Sequence, residues 1–119
     1  MYYFDTYALI EIVKGNTNYS SFTEKTMITS VVNLSEFYFC LLKELTEKEA
    51  NESLAKFTFE FLEISPKNAI NAAIVRKMLK KRSVSYIDCI GYSVAKENGL
   101  KFLTGDPAFK DQENVEFIP

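Results

Sequence analysis

The chain has 119 residues, of which 47% are hydrophobic and 25% charged, a balance typical of a globular protein that fills one core. Its formal net charge of −2 gives no overall attraction to nucleic acid, and the absence of histidine excludes Ser-His and Cys-His catalytic pairs and histidine-based zinc sites. Any metal would be bound by oxygen ligands, which favours Mg²⁺ or Mn²⁺ over zinc.

Cysteine content and the N-terminus indicate the compartment. Cys40 and Cys89 are too few for a disulfide framework, which favours a reducing cytosol. The N-terminus has an acid where a secretory signal would be basic, and no apolar run approaches the roughly 20 residues of a membrane span. We therefore expect a single cytoplasmic domain over residues 1–119 that does not associate with a membrane.

Short apolar runs alternate with stretches of helical periodicity. In chain order, we predict a strand at Tyr2–Phe4, a helix at Thr6–Lys14, a strand at Met27–Ile28, helices at Val31–Leu45 and Thr46–Glu60, a strand at Phe61–Ile64, helices from Pro66 to about Lys81 and at Ser85–Asn98, a strand at Lys101–Leu103, one turn at Pro107–Lys110 and a strand at Val115–Ile118. This alternation predicts an α/β fold with a mostly parallel sheet.

Three aspartates have both a structural and a functional interpretation. Asp5 follows the first strand and can cap the next helix, and Asp106 precedes Pro107 as an N-cap residue does. Asp88 stands three residues after Ser85, which is the spacing of a capping box. Considered singly, each is explained at least as well by helix capping as by a catalytic role.

Glu36 is harder to explain structurally. It lies inside a predicted helix on a side that also carries Val32, Phe39 and Cys40, which we predict to be buried. A buried, unpaired carboxylate is costly, and the candidate cation Lys43 is two turns away. A bound metal ion would supply the missing positive charge.

The acids gain weight when they are considered together. In a parallel α/β sheet, ligands collect outside the carboxyl ends of the strands, where Asp5 and Asp106 fall. Clustered carboxylates repel one another unless a divalent cation binds between them. Oxygen-only clusters hold Mg²⁺ or Mn²⁺, which can activate water and neutralise a phosphodiester transition state.

Four segments together carry a family resemblance that runs in order over essentially the whole chain. The chain resembles the PIN-domain nucleases, and within them the VapC-type toxins of toxin–antitoxin pairs, at the segments Phe4–Ile10, Asn33–Glu36, Tyr86–Asp88 and Leu103–Phe109. The resemblance implies a three-layer α/β/α sandwich around a parallel sheet of about five strands in the order 3-2-1-4-5. Tyr7 departs from the family, in which a small polar residue is common at this position.

The resemblance also implies an activity. Asp5, Glu36, Asp88 and Asp106 match the family's four acidic positions, which are both catalytic and metal-binding, with Thr6 and Thr104 supporting them. The implied function is a Mg²⁺- or Mn²⁺-dependent endoribonuclease that cleaves RNA with metal-activated water. The implied partners are the RNA substrate, a second copy in a homodimer and a small antitoxin.

A basic cluster is the candidate RNA contact outside the acids. Arg76 and Lys77 are followed by Lys80, Lys81 and Arg82, near the end of a predicted helix. Basic residues also suit a helix C-terminus, so a solvated helix end is the competing interpretation. The candidates for base stacking are Tyr7, Tyr38 and Tyr92.

Other functions remain open from the sequence alone. A housekeeping PIN nuclease of RNA processing and a non-catalytic PIN-like binding module share the same fold. A phosphoacceptor receiver domain is disfavoured because Leu62–Ser65 carries no aspartate that could be phosphorylated. A phosphohydrolase of the D-x-D type is disfavoured because Asp5-Thr6-Tyr7 lacks the second acid.

Overall fold

Five parallel strands form the central sheet of the computed structural model, which describes residues 1–23 and 26–119. In chain order the strands and helices are β1 (Tyr2–Phe4), α1 (Thr6–Val13), β2 (Met27–Thr29), α2 (Val31–Leu42), α3 (Glu47–Leu54), β3 (Phe59–Phe61), α4 (Pro66–Met78), α5 (Tyr86–Glu97), β4 (Lys101–Thr104) and β5 (Val115–Phe117), with short 3₁₀ helices at Thr17–Phe22, Lys80–Arg82 and Pro107–Phe109. The strand order is β3-β2-β1-β4-β5. The predicted parallel α/β fold and its strand order are confirmed.

Alternating side chains of the strands build two apolar layers, one on each face of the sheet. Tyr3 and Phe102 point into the layer beneath α4 and α5. Their neighbours Phe4 and Leu103 point into the opposite layer, beneath α1, α2 and α3. Strand side chains alternate between the two faces, so both faces of this sheet are apolar and must be covered. Helices lie on both faces, and the fold is a three-layer sandwich.

The third strand lies earlier in the chain than the sequence predicted. The prediction of a helix over Thr46–Glu60 and a strand at Phe61–Ile64 was wrong, because α3 ends at Leu54 and β3 spans Phe59–Phe61. The rings of Phe57, Phe59 and Phe61 stack in succession, with centroids 5.5 and 5.4 Å apart. Their spacing of two residues is the periodicity of a strand, and this signal was missed.

The remaining helices form where they were predicted, although two of them end well before the predicted residue. The second helix ends at Leu42 instead of Leu45, and the fourth ends at Met78, before a separate 3₁₀ turn at Lys80–Arg82. Within the described residues, no helix combines the length and the apolar character that crossing a bilayer requires.

Candidate active site

Asp5 and Asp106 lie at the carboxyl ends of the two central, hydrogen-bonded strands β1 and β4. The strands pair in the register Phe4 to Leu103, and the backbone N–H of Asp5 donates to the Leu103 carbonyl at 3.1 Å. Asp5 directly follows the last residue of β1, and Asp106 is separated from the end of β4 by Gly105 alone. This register therefore brings both acids to one edge of the sheet. The two acids thus lie at the same edge of the sheet, which is the position that strand ends in a parallel sheet predict.

Asp5 is the most unusual acid of the chain, because it is only 1% exposed and no cation pairs with it in the described residues. Its Oδ2 accepts a hydrogen bond of 2.7 Å from the Thr104 hydroxyl, whereas its buried Oδ1 has no partner there. Burial and, less strongly, the charge of Asp88 raise the pKa of Asp5 to about 8, against the opposing effect of the hydrogen bond from Thr104. The protein therefore keeps a carboxylate where ionisation is unfavourable.

Asp88 is both a helix cap and a wall of the site. Ser85 and Asp88 form a reciprocal capping box: the Ser85 N–H donates to Asp88 Oδ2 at 3.0 Å, and the Asp88 N–H donates to Ser85 Oγ at 3.1 Å. Burial raises the pKa of Asp88, the bonds to Ser85 oppose that shift, and the charge of Asp106 adds to it. The structural interpretation of this residue is correct, and it does not exclude a second role.

Asp106 also caps a helical turn. Its Oδ1 accepts from the Ala108 N–H at 3.0 Å at the start of the 3₁₀ turn Pro107–Phe109. Its own N–H donates to Thr104 Oγ1 at 3.1 Å. The Thr104 hydroxyl therefore joins the two strand-end aspartates, accepting from the backbone of one and donating to the carboxylate of the other.

Glu36 projects from α2 on a side that is more open than predicted. Phe39 is 61% exposed, and Val32, Glu36 and Cys40 are half-buried, so the prediction of a second buried side was wrong. This side faces a cleft instead of the core. Burial raises the pKa of Glu36, hydrogen bonding to Thr6 lowers it, and the charge of Asp88 raises it again.

All four acids line one cleft of about 440 Å³, which we call the acidic cleft. It is lined by Asp5, Thr6, Tyr7, Ile10, Glu11, Lys14, Glu36, Phe39, Cys40, Lys43, Asp88 and Asp106. Lys43 was considered from the sequence as a cation near Glu36, whereas Lys14 and Glu11 were not predicted. Their signal was available, because Tyr7, Glu11 and Lys14 follow one another at helical spacing along α1 and its C-cap.

The donor set of the acidic cleft fits a divalent cation. The four predicted carboxylates and the Thr6 hydroxyl supply oxygen donors of the hard type that Mg²⁺ and Mn²⁺ prefer, and one of these oxygens, Asp5 Oδ1, is buried without a partner among the described residues. In the side-chain positions seen here, the described residues contain no group of three acidic or cysteine side chains arranged to hold an ion. Two of the acids each commit one oxygen to a cap.

The predicted RNA-contact cluster lies outside the acidic cleft. Lys80, Lys81 and Arg82 are exposed and none of them lines it. The guanidinium of Arg82 binds Asp111 through two hydrogen bonds, of 2.5 and 3.1 Å, and donates to the Ala108 carbonyl. These contacts favour the interpretation of a solvated helix end with a structural arginine.

Of the three tyrosines considered for base stacking, Tyr7 alone lines the acidic cleft. Tyr92 is buried in the layer under α5, where its hydroxyl donates to the Glu113 carbonyl at 2.8 Å, so its assignment as a stacking candidate was wrong. Tyr38 donates to Asn51 on α3 at 2.6 Å and packs against the layer under α2.

The fold and the site together define an α/β protein with an acidic cleft at the carboxyl end of its central strands. A family model for the PIN domain matches residues 2–114, so the chain belongs to the PIN domain family, whose members are nucleases. No curated protein sequence matches the chain significantly.

Several solved structures share the fold. A toxin–antitoxin complex from Klebsiella pneumoniae is similar with a TM-score of 0.74 and 21% identity, over 98% of this chain and 96% of the other. VapBC2 from Rickettsia felis, bound to a DNA fragment from its promoter, is similar with a TM-score of 0.73 and 17% identity, over 98% and 96% of the chains. PAE2754 from Pyrobaculum aerophilum is similar with a TM-score of 0.64 and 18% identity, over 98% and 87%.

Proposed function

We propose that this chain is a Mg²⁺- or Mn²⁺-dependent endoribonuclease that acts in the cytoplasm as the toxin of a toxin–antitoxin pair. The observation that carries the proposal is Asp5, a nearly inaccessible carboxylate in a cleft that three more carboxylates line, with one oxygen that has no partner among the described residues. A carboxylate cluster of this kind is unfavourable in isolation and favourable around a divalent cation.

The four acids have different roles in this proposal. Asp5, Asp88 and Asp106 hold the ion, directly or through water, and Glu36 orients the attacking water. When bound, the cation neutralises charge that develops on the scissile phosphate and makes the water more acidic. The Thr104 hydroxyl keeps Asp5 Oδ2 in place and fixes the backbone of Asp106. Cleavage leaves 5′-phosphate and 3′-hydroxyl ends.

The partners follow from different observations. Two similar structures are described as a toxin–antitoxin complex and as VapBC2, which supports a small antitoxin as partner. Ile70, Ile74 and Met78 are exposed at intervals of four residues on α4, and such an apolar stripe supports a homodimer. Both cysteines are free thiols, as a reducing cytosol requires.

The nuclease proposal is tested by RNA cleavage with the purified chain. We expect cleavage of single-stranded RNA in Mn²⁺ or Mg²⁺ and none in EDTA. Asp5→Asn, purified in parallel, should reduce the rate at least about a hundredfold, since it removes a carboxylate that would hold the cation that stabilises the transition state. Equal cleavage by parent and variant would point to a contaminating ribonuclease and refute the assignment.

The toxin role is tested separately in cells. Expression of the parent chain should arrest growth, and Asp5→Asn should not. Co-expression with the product of a short adjacent gene should relieve the arrest and yield a stable complex on size-exclusion chromatography. Cleavage without growth arrest would favour a housekeeping nuclease, and neither activity would favour a non-catalytic binding module.

A further inference from the structure

A buried polar network lies directly beneath the acidic cleft and is centred on Asn33. This residue is fully buried on α2, one turn before Glu36. Its Nδ2 donates to Thr6 Oγ1 at 3.0 Å, and its Oδ1 lies 2.5 Å from the Tyr3 hydroxyl and 3.2 Å from the Ser30 hydroxyl. Among the described residues, both the nitrogen and the oxygen of this buried amide have a partner, which defines its orientation.

The distances establish which end of the Asn33 amide faces Thr6. A contact of 2.5 Å to the Tyr3 hydroxyl is within the range of O–H···O bonds and shorter than N–H···O bonds. The amide oxygen therefore faces Tyr3 and Ser30, and the amide nitrogen faces Thr6. Because an amide nitrogen can only donate, the Thr6 oxygen must accept that bond, and its own proton is left for another acceptor.

Glu36 lines the acidic cleft together with Thr6, and we take its carboxylate as that acceptor. Hydrogen bonding to Thr6 lowers the pKa of Glu36, which is the direction expected when a hydroxyl donates to a carboxylate. We infer that Asn33 is a positioning residue that fixes the Thr6 hydroxyl as a donor and thereby holds the Glu36 carboxylate in the acidic cleft. This inference rests on the proposed function, in which Glu36 orients the attacking water.

The neighbouring helix leaves space for this network. A Cβ atom at Gly91 on α5 would lie 3.1 Å from both Asn33 Oδ1 and the Tyr3 ring. Those contacts are tighter than ordinary van der Waals contact, so a larger residue at this position would press on the amide. The absence of a side chain at Gly91 allows Asn33 and Tyr3 to sit between α2 and α5.

The experiment replaces the amide by a side chain of similar shape without polar atoms, in Asn33→Leu. Its matched control is Asn68→Leu, since Asn68 is 2% exposed and also donates to a carboxylate, Glu97 Oε2 at 2.5 Å, far from the acidic cleft. Both variants should lose stability. Only Asn33→Leu should reduce RNA cleavage, by about 10- to 100-fold, the usual effect of removing an outer-shell partner.

A second measurement reports on Thr6 itself and needs neither metal nor RNA. Three-bond couplings of Thr6 in the metal-free protein should show one χ1 rotamer in the parent and in Asn68→Leu, and averaging in Asn33→Leu. A single rotamer retained in Asn33→Leu would overturn the inference. Unchanged cleavage by Asn33→Leu would also overturn the inference. The same fold-loss of cleavage when Asn33→Leu is added to Thr6→Val would overturn it too, because Thr6→Val already lacks the hydroxyl through which Asn33 is inferred to act.

Tyr3→Phe provides the test if Asn33→Leu does not fold. It keeps the ring and removes one of the two hydroxyls that anchor the amide oxygen, so the same changes should appear at smaller size, about two- to fivefold in cleavage. No change in either Thr6 couplings or cleavage would overturn the inference. An inactive parent chain would refute the proposed nuclease function, and the Thr6 couplings would then decide separately whether Asn33 orients Thr6.

Discussion

At the scale of single residues, Asp5 connects the site to the stability of the fold. Its pKa is about 8 in the folded chain against an ordinary value of 3.8 in the unfolded one, with burial as the main cause. Between these values the folded state binds more protons, so this group makes the metal-free protein less stable as pH rises from about 4 to about 8.

The corresponding prediction is a pH dependence that Asp5→Asn reduces. In EDTA, the free energy of unfolding should fall with rising pH, by at most about 1.4 kcal/mol per pH unit for one proton. The variant should show a shallower slope and exceed the parent in stability most clearly near pH 8. Urea titrations at several pH values measure this, and identical slopes in the two proteins would contradict it.

Asp88 permits its two roles to be separated, because a cap needs a hydrogen-bond acceptor and a metal site needs a charge. Asp88→Asn keeps an oxygen that can accept from the Ser85 N–H, whereas Asp88→Ala removes it. Both should lose cleavage at least about tenfold. Only Asp88→Ala should lose stability, by about 1 kcal/mol, in urea titrations. A cleaving Asp88→Asn protein would show that Asp88 serves only as a cap.

Single residues also mark where sequence reasoning succeeded and where it could not. Asp5 and Asp106 were predicted because a strand end in a parallel sheet is a location that a sequence reveals. Asn33 was not predicted, because its partners Tyr3 and Thr6 are about thirty residues away and the amide looks like any polar helix residue. The side of α2 with Glu36 was predicted to be buried, since apolar residues do not reveal whether they line a core or a cleft.

At the scale of elements, the turn after β4 constrains the wall of the acidic cleft. A Cβ atom at Gly105 would lie 2.3 Å from both the Tyr7 ring and the Ile118 carbonyl oxygen. Tyr7 lines the acidic cleft, so the turn leaves room for this ring only because it carries no side chain.

We therefore predict that Gly105→Ala moves Tyr7 and destabilises the protein toward the upper end of the usual cost of overpacking, about 3 kcal/mol. Gly15→Ala is the control, since Gly15 has a φ of +77° and no described residue lies within 4 Å of its Cβ position. It should cost only about 1–2 kcal/mol of backbone strain. Thermal unfolding and cleavage assays measure both. A larger loss for Gly15→Ala would contradict the argument.

The elements themselves were mostly predictable, with one instructive exception. The capping-box spacings at Thr46 and Ser85 and the proline at Pro66 located three helix starts correctly, because each is a local signal. The region from Ala55 to Ile64 was misassigned because it contains apolar residues without a strong stop signal after α3. The position of β3 is set by its pairing with β2, in the register Met27 to Phe59, which the local sequence does not reveal.

At the scale of the whole molecule, the positions of the lysines indicate where RNA would bind. Lys14 and Lys43 line the acidic cleft, although the chain as a whole is slightly acidic. Lys80 and Lys81 are on a separate turn and do not line it. We therefore expect the RNA phosphates to contact the lysines of the acidic cleft and not the longest basic run of the sequence.

Two double variants of equal charge test this path. Lys14→Ser with Lys43→Ser should weaken RNA binding in EDTA and reduce the dependence of log affinity on log salt by about 0.7 for each lost phosphate contact. Lys80→Ser with Lys81→Ser should leave both affinity and slope nearly unchanged. Fluorescence anisotropy over a salt series measures the two slopes. A larger effect of Lys80→Ser with Lys81→Ser than of Lys14→Ser with Lys43→Ser would contradict this prediction and indicate that RNA contacts the basic cluster.

The unpartnered oxygen of Asp5 has a further consequence for how long the protein survives in a cell. On the proposed function, the metal binds the folded chain and not the unfolded one, so it acts as a folding ligand as well as a cofactor. A hundredfold excess of free ion over its dissociation constant would stabilise the chain by about 2.7 kcal/mol. Scarcity of the ion would thus raise the unfolded fraction and expose the chain to proteolysis, so that metal supply would govern abundance together with activity.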